Sequence, residues 1–80
     1  MKIIVRAKLG VLAHNEQFHN DEPVTIEVAD GITVKQLLEH LETERYNATL
    51  IVTNGDNVCL LDDLIREGEE YSIVPLLVSG

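Results

Sequence analysis

The most nucleophilic side chain in this sequence is the thiol of Cys59, and its surroundings argue against catalysis. It lies in the apolar run Val58-Cys59-Leu60-Leu61, whereas a reactive cysteine needs an accessible site where a base or a helix N-terminus stabilises the thiolate. We therefore predict a buried, inert Cys59. As the single cysteine of the chain, it also excludes an intramolecular disulfide and a four-thiolate zinc site, which favours a reducing, cytoplasmic setting.

The histidines and paired carboxylates match no catalytic or metal-binding motif. His14 and His19 share one connection, but their spacing is not that of a metal site, so we predict solvated imidazoles and no bound metal. His40 falls on the polar face of a predicted helix. Acid–base catalysis needs carboxylates held across a cleft, and we expect Asp62-Asp63 and Glu69-Glu70 to be solvated instead. The sequence therefore predicts no catalytic residues and no enzyme activity of its own.

The charge of the chain limits the kinds of partner that it can bind. The 80 residues include 6 basic and 14 acidic side chains, a formal net charge of -8 at pH 7. Nucleic acid needs a basic footprint and an anionic membrane surface would repel the chain, so we expect neither as a partner. The first apolar run is interrupted by charges, and no run of about 18 apolar residues occurs. We expect neither a signal peptide nor a membrane span, and a cytoplasmic location.

Hydrophobic periodicity places two strands and a helix in the first half of the chain. Alternation predicts strands over residues 2–9 and 24–28, which we expect to pair antiparallel. Thr33 and Gln36 have the spacing of a capping box, and the helix that they begin is expected to close by Asn47. Its apolar stripe comprises Val34, Leu37, Leu38 and Leu41. The residues that turn to water are Lys35, Glu39, His40 and Glu42.

Residues 10–22 lack a clean period and are predicted to form a structured connection. Three apolar residues in it could anchor a helical turn on the core: Val11, Leu12 and Phe18.

The second half is predicted to supply three more strands. Residues 48–53 are a nearly continuous apolar run, typical of a central strand. Asn54-Gly55 has the composition of a type I′ turn, and residues 58–61 would be the returning strand. Residues 62–68 are predicted as a helical turn and a glycine-containing reversal. The last strand covers residues 71–74, and the chain should leave the sheet at or after Pro75 because proline cannot donate to the ladder.

This order of elements predicts an α+β protein. A helical crossover brings the later strands beside the first, which gives the β-grasp (ubiquitin-like) arrangement, a mixed sheet of four to five strands with one main helix packed on it. Residues 1–75 would form that domain and residues 76–80 a flexible C-terminal tail. The tail ends Val78-Ser79-Gly80, with so little side-chain bulk that a narrow channel in a partner could admit its backbone. The alternative is a frayed end without a role.

Three segments carry a resemblance to a known family. They are residues 29–38 (ADGITVKQLL), 51–55 (IVTNG) and 67–75 (EGEEYSIVP). In their order and spacing the chain resembles the ubiquitin-like sulfur carriers related to the small subunit of molybdopterin synthase and to the carrier of the thiamine pathway.

The resemblance implies a carrier function centred on the C-terminus. An E1-like enzyme would adenylate Gly80 with ATP, and a sulfur donor would convert the acyl-adenylate to a thiocarboxylate. The carrier itself would bind no cofactor. Val78, Ser79 and Gly80 would enter the partner, while Val74 and Leu76 would be exposed and help to seat it. The sulfur would pass to a large synthase subunit or another acceptor, for molybdenum or tungsten cofactor or for thiamine.

The tail departs from the family pattern, which leaves an alternative open. Family members end in Gly-Gly, whereas this sequence ends Ser79-Gly80 and has Leu76-Leu77 where one residue is expected. The competing hypothesis is a ubiquitin-like or TGS-like module that binds a protein without covalent chemistry. A further possibility is the small subunit of a synthase whose catalytic side chains lie on the large subunit.

Overall fold

A computed structural model describes residues 1–15, 18, 22–43 and 49–76 of the chain. In this part of the chain, one helix packs on one face of a five-stranded mixed sheet, as the sequence predicts. The elements are β1 (Lys2–Ala7), β2 (Val24–Glu27), α1 (Val34–His40), β3 (Leu50–Asn54), β4 (Asn57–Val58) and β5 (Glu70–Pro75). The strands lie in the order β2-β1-β5-β3-β4.

The first and last strands form the middle of the sheet. β1 pairs antiparallel with β2, as predicted, and parallel with β5, with Ile4 opposite Glu70 and Ala7 opposite Ile73. β5 pairs antiparallel with β3 on its other side. The long apolar run predicted as the central strand therefore forms an interior strand, β3, while β5 occupies the centre.

The hydrophobic core lies between the sheet and α1. Alternate residues of the strands enter it, among them Ile3, Val5 and Ile73, each with no exposed surface. The connection between β1 and β2 contributes the buried side chains of Val11, Leu12 and Phe18. Successive turns in this connection are closed by backbone hydrogen bonds between residues three apart in the chain. The structured connection with apolar anchors predicted for residues 10–22 is therefore confirmed where it is described.

The start of α1 has a partner for each of its first three backbone N–H groups, which a helix cannot satisfy internally. Gln36 N donates to Thr33 Oγ1 at 3.2 Å, and Gln36 Oε1 accepts from Thr33 N at 2.9 Å, so the predicted capping box is present. The N–H groups of Val34 and Lys35 donate to carbonyls of the segment before β5, those of Asp63 and Leu61. This long-range contribution is not visible in the local sequence.

Three predicted features differ in the structure. α1 ends at His40, earlier than predicted, because Glu42 adopts a left-handed φ of 55° that turns the chain away; Asn47 lies outside the described residues. The returning strand β4 is limited to Asn57–Val58. Residues 62–68 form no helix: Asp63 N closes one turn on Leu60 O, and Ile65 N then donates to Ile32 O. The predicted glycine-containing reversal is present, with Gly68 at a φ of 80° and Glu69 N donating to Arg66 O.

The hairpin turn between β3 and β4 is shifted by one residue from the prediction. Asn54 pairs with Asn57, so Gly55 and Asp56 are the loop residues. Among these two, only Gly55 has a positive φ, at 61°. That is the pattern of a type II′ turn, in which glycine takes the first central position, rather than the predicted type I′.

Candidate functional site

The end of β5 fixes the point from which the C-terminal residues leave the sheet. Pro75 lies opposite Leu50 of β3, and Leu76 N donates to Thr49 O at 2.8 Å. The sheet therefore holds the chain through Leu76, one residue after Pro75, in agreement with the predicted exit.

Proline is tolerated there because its position needs no donor. Ile73 O accepts from Lys8 N, so Ile73, and with it Pro75 two residues later, faces the side of β1. β1 ends at Ala7. A backbone N–H at position 75 would point beyond the end of β1 and would find no acceptor there. Proline, which has no N–H, therefore costs the sheet no hydrogen bond at this position.

No described helix or strand covers the face of the sheet opposite α1. Because side chains alternate along a strand, the neighbours of the buried residues point to this side. They are half-buried in the middle of the sheet, and the register places Ile51 beside Val74 and both Arg6 and Thr53 beside Ser72. We call this surface the open face; its central members are Ile4, Arg6, Ile51, Thr53, Ser72 and Val74.

The two predicted docking residues are placed differently. Leu76 is 44% exposed, as predicted. Val74 is half-buried between its neighbours on the open face, which corrects the expectation that it would stand exposed. Its paired position opposite Ile51 shields part of the side chain while leaving it on an accessible surface. Val74 and Leu76 are two residues apart in an extended chain, so their side chains lie on the same face, near the point where the chain leaves the sheet.

Arg6 is a basic residue in the middle of this mostly uncharged surface. Its Nε lies 3.9 Å from Glu70 Oε2, which is an ion-pair distance and too long for a hydrogen bond. The Nε atom is buried and has no hydrogen-bond partner among the described residues. The Arg6 side chain as a whole is 37% exposed, so the open face presents a positive charge to a partner although its Nε atom is shielded.

Cys59 is not placed for nucleophilic chemistry. It is half-buried against the core, which corrects the prediction of full burial. Burial raises the pKa of its thiol, and the negative charge of Asp63 raises the pKa further. A raised pKa lowers the thiolate fraction near neutral pH, so the predicted inertness has a physical cause in the structure.

The other groups considered for chemistry have structural or solvated positions. His14 Nε2 donates to Leu41 O at 3.0 Å, which ties the β1–β2 connection to the end of α1. His40 and the pairs Asp62-Asp63 and Glu69-Glu70 are exposed, as predicted. His19 lies outside the described residues.

The described residues lack two further features. They contain no group of three His, Cys, Asp or Glu side chains positioned to share a metal ion. They also contain no helix with the length and apolar character needed to cross a bilayer.

The sequence does not identify the open face. Arg6 and Ile51 do not belong to a recognisable sequence motif. Only the strand register places Arg6 beside Ser72 and Ile51 beside Val74. Alternation within β1 was the available signal, because it places Ile4 and Arg6 on the side away from the core. The predicted tail residues Val78, Ser79 and Gly80 lie outside the described part of the chain.

Solved structures similar to this chain share its architecture. A putative molybdopterin converting factor subunit 1 from Pyrococcus furiosus superposes with a TM-score of 0.70 at 17% identity, covering 96% of this chain and 99% of that one. Small archaeal modifier protein 1 from H. volcanii gives 0.69 at 13% identity, covering 95% and 98%. A ubiquitin-like protein from Caldiarchaeum subterraneum gives 0.62 at 16% identity, covering 99% and 100%. The chain is thus a β-grasp, ubiquitin-like protein, as predicted.

The family follows from the sequence comparison. No curated protein sequence matches the chain, but the model of the ThiS family matches residues 10–80. The chain belongs to the ThiS family. The predicted resemblance to small sulfur carriers is therefore confirmed at the level of the family.

Proposed function

We propose that the protein is a sulfur carrier whose C-terminal Gly80 is adenylated by an E1-like enzyme and then converted to a thiocarboxylate. The observation that carries this proposal is the ThiS family match, which extends through residue 80 and so includes the reacting end. The carrier binds no cofactor; ATP and the sulfur donor are substrates of the activating enzyme. Residues 1–75 act as the folded body, residues 76–80 act as the tail, and the protein works in the cytoplasm.

The exit of β5 supports the delivery of the tail. The hydrogen bond from Leu76 N to Thr49 O anchors the base of the tail to the sheet. The four residues beyond Leu76 span at most about 14 Å when extended. A partner must therefore place its reacting atoms within that distance of the sheet edge, and Val78, Ser79 and Gly80 occupy its channel.

The open face supports docking beside this tail. Val74 and Ile51 provide an apolar contact, Leu76 extends it, and the partly exposed, positively charged side chain of Arg6 can pair with a carboxylate of the partner. The net charge of -8 favours approach to a basic surface. The partners in this proposal are the E1-like enzyme and then a large synthase subunit or another sulfur acceptor.

The test is the intact mass of the purified chain after incubation with the E1-like enzyme of its host, ATP and a sulfur donor. The carrier function predicts a gain equal to the replacement of one oxygen by sulfur, and no gain in a variant that lacks Gly80. A Val74→Asp variant should slow the reaction while keeping the fold, with Ala13→Asp, at an exposed position of the β1–β2 connection, as its control. A wild-type chain that stays unmodified would refute the carrier function.

The same experiment addresses two alternatives. The departure of Ser79-Gly80 from Gly-Gly favours the first alternative, a docking module without covalent chemistry. Such a module should bind the enzyme while its mass stays unchanged, and deleting residues 78–80 should not alter that binding. Two of the similar structures are named as modifier or ubiquitin-like proteins. If this chain is such a modifier, the mass should rise by that of a second protein joined to Gly80 rather than by a sulfur atom.

A further inference from the structure

A second apolar surface lies in the segment between β4 and β5, which adjoins the start of β5, whereas Leu76 follows its end. Leu60, Leu61 and Leu64 are 64%, 58% and 62% exposed. Three leucines this exposed within five residues are unusual, because a leucine side chain gains from burial when the fold allows it. We call residues 60–64 the leucine loop.

These leucines are exposed because hydrogen bonds fix the conformation of the loop, and not because the segment is loose. The loop is fastened to α1 by the bonds from Val34 N to Asp63 O and from Lys35 N to Leu61 O, each 2.9 Å long. It is closed on itself by Leu60 N, which donates to Asp63 Oδ2 at 2.8 Å. Because the loop is already ordered, a partner that binds it does not need to fix its conformation first.

A cleft of about 530 Å³ lies next to the leucine loop. Val58 and Leu64 line it, and its floor includes the buried ring of Tyr71. Its other lining residues include Asp62, Asp63, Arg66 and Glu69. The three acidic groups outnumber Arg66, the one basic residue among the described lining residues, so an apolar surface is combined here with a negative rim.

We propose that the leucine loop and this cleft form a second docking surface, which binds a segment of a partner protein that has aliphatic or aromatic anchors flanked by lysine or arginine. The negative charge of the rim favours a partner segment with basic residues. A second copy of the chain, itself at -8, would bring acidic rims together. An anionic membrane would be repelled in the same way.

The position of the surface allows it to work while the tail is engaged. The cleft includes Glu69 and Tyr71, at the start of β5, whereas the tail leaves from the other end of that strand. A strand of six residues is about 17 Å long. The protein therefore offers one surface for a partner that handles the tail and another for a partner that keeps the protein in place.

A display experiment on the whole chain tests this proposal. Random dodecapeptides are selected on the wild-type protein, and peptides that also bind the Leu61→Ser/Leu64→Ser variant are removed. The matched control is Leu9→Ser, because Leu9 is 57% exposed at another site. Circular dichroism should show that both variants remain folded, since the replaced side chains lie outside the core.

The selected peptides should combine apolar anchors with basic residues and should bind the Leu9→Ser control as they bind the wild type. Loss of two buried leucine contacts should weaken binding at least about tenfold in the double variant, and added salt should weaken binding to the wild type. In amide NMR spectra the peptide should shift signals of residues 58–64 and leave Val74 and Leu76 unchanged. The proposal is overturned if no peptide depends on the two leucines, if the selected peptides are acidic, or if the shifts fall on the open face.

Discussion

The capping box of α1 supports a quantitative prediction. α1 has 7 residues, and an isolated helix this short is not stable in water, so its formation depends on its caps and on tertiary contacts. Thr33→Ala removes the oxygen that accepts from Gln36 N at 3.2 Å. The loss of such a cap costs about 1 kcal/mol of the free energy of unfolding. For a domain of this size, that lowers the melting temperature by about 4–8 °C.

Urea denaturation followed by far-UV circular dichroism measures this effect, because the chain has no tryptophan to report by fluorescence. With a slope near 1 kcal/mol/M, typical of small domains, the midpoint should fall by about 1 M. Thr49→Ala is the matched control: Thr49 is exposed and contributes its backbone carbonyl to Leu76. Its stability should stay within about 0.5 kcal/mol of the wild type.

A double-mutant cycle with Gln36→Ala isolates the reciprocal bond. Gln36 Oε1 accepts from Thr33 N at 2.9 Å, so the two substitutions share one motif and should be less than additive by at least about 0.5 kcal/mol. Additive effects would show that the two side chains act independently. A Thr33→Ala variant as stable as Thr49→Ala would show that the bonds donated to Asp63 O and Leu61 O hold the start of α1 without the box.

Three more predictions concern single groups. Tyr71→Phe removes the hydroxyl oxygen that accepts from Arg66 N at 2.9 Å and should lower the free energy of unfolding by about 1 kcal/mol in the same urea assay, whereas an unchanged midpoint would count against that bond. Cys59, whose pKa is raised by burial, should react with iodoacetamide more slowly in the folded chain than in urea at the same pH; equal rates would contradict the structure. The pKa of the Met1 ammonium is raised above 8.0, mainly by the hydrogen bond to Glu27 and also by Asp30, so its stabilising contribution is complete below pH 8 and is lost as the pH rises through the raised value. Denaturation curves should show this loss above pH 8 in the wild type and a smaller loss in Glu27→Gln/Asp30→Asn, and identical pH profiles would refute it.

The features predicted correctly from the sequence depend on neighbouring residues or on topology. The capping box is local, because Thr33 and Gln36 interact within one turn. The apolar stripe of α1 follows from helical periodicity, and Leu37 is fully buried. The placement of later strands beside β1 follows from the helical crossover, and in the structure the strand beside β1 is β5. These features needed no knowledge of distant contacts.

The errors arise where distant contacts override local preference. Residues 62–68 have the composition of a helical turn, yet Asp63 O and Leu61 O accept from the start of α1 and Ile65 N donates to Ile32 O. The end of α1 is marked by Glu42 in a left-handed conformation, which the sequence does not signal because glycine usually takes that position.

The candidate site was predictable only in part. Leu76 was correctly expected to be exposed, whereas Val74 is partly covered by its cross-strand neighbour Ile51. The register that sets this pairing depends on the whole sheet. The same limit applies to the leucine loop: the sequence assigns Leu60 and Leu61 to the returning strand and Leu64 to a helical turn, whereas hydrogen bonds to α1 hold all three exposed.

The central position of β5 also determines how the protein responds to mechanical force. β1 and β5 run parallel, so tension applied between the two termini pulls these neighbouring strands in opposite directions along their length. Their hydrogen bonds are then loaded together in shear, and cannot open one after another as in a zipper. A machine that grips the tail therefore pulls on the central strand of the sheet. Single-molecule stretching between the termini should require a higher force than stretching between residues 2 and 27, which are cross-strand partners, because the second geometry opens the antiparallel β1–β2 pair one bond at a time from its end.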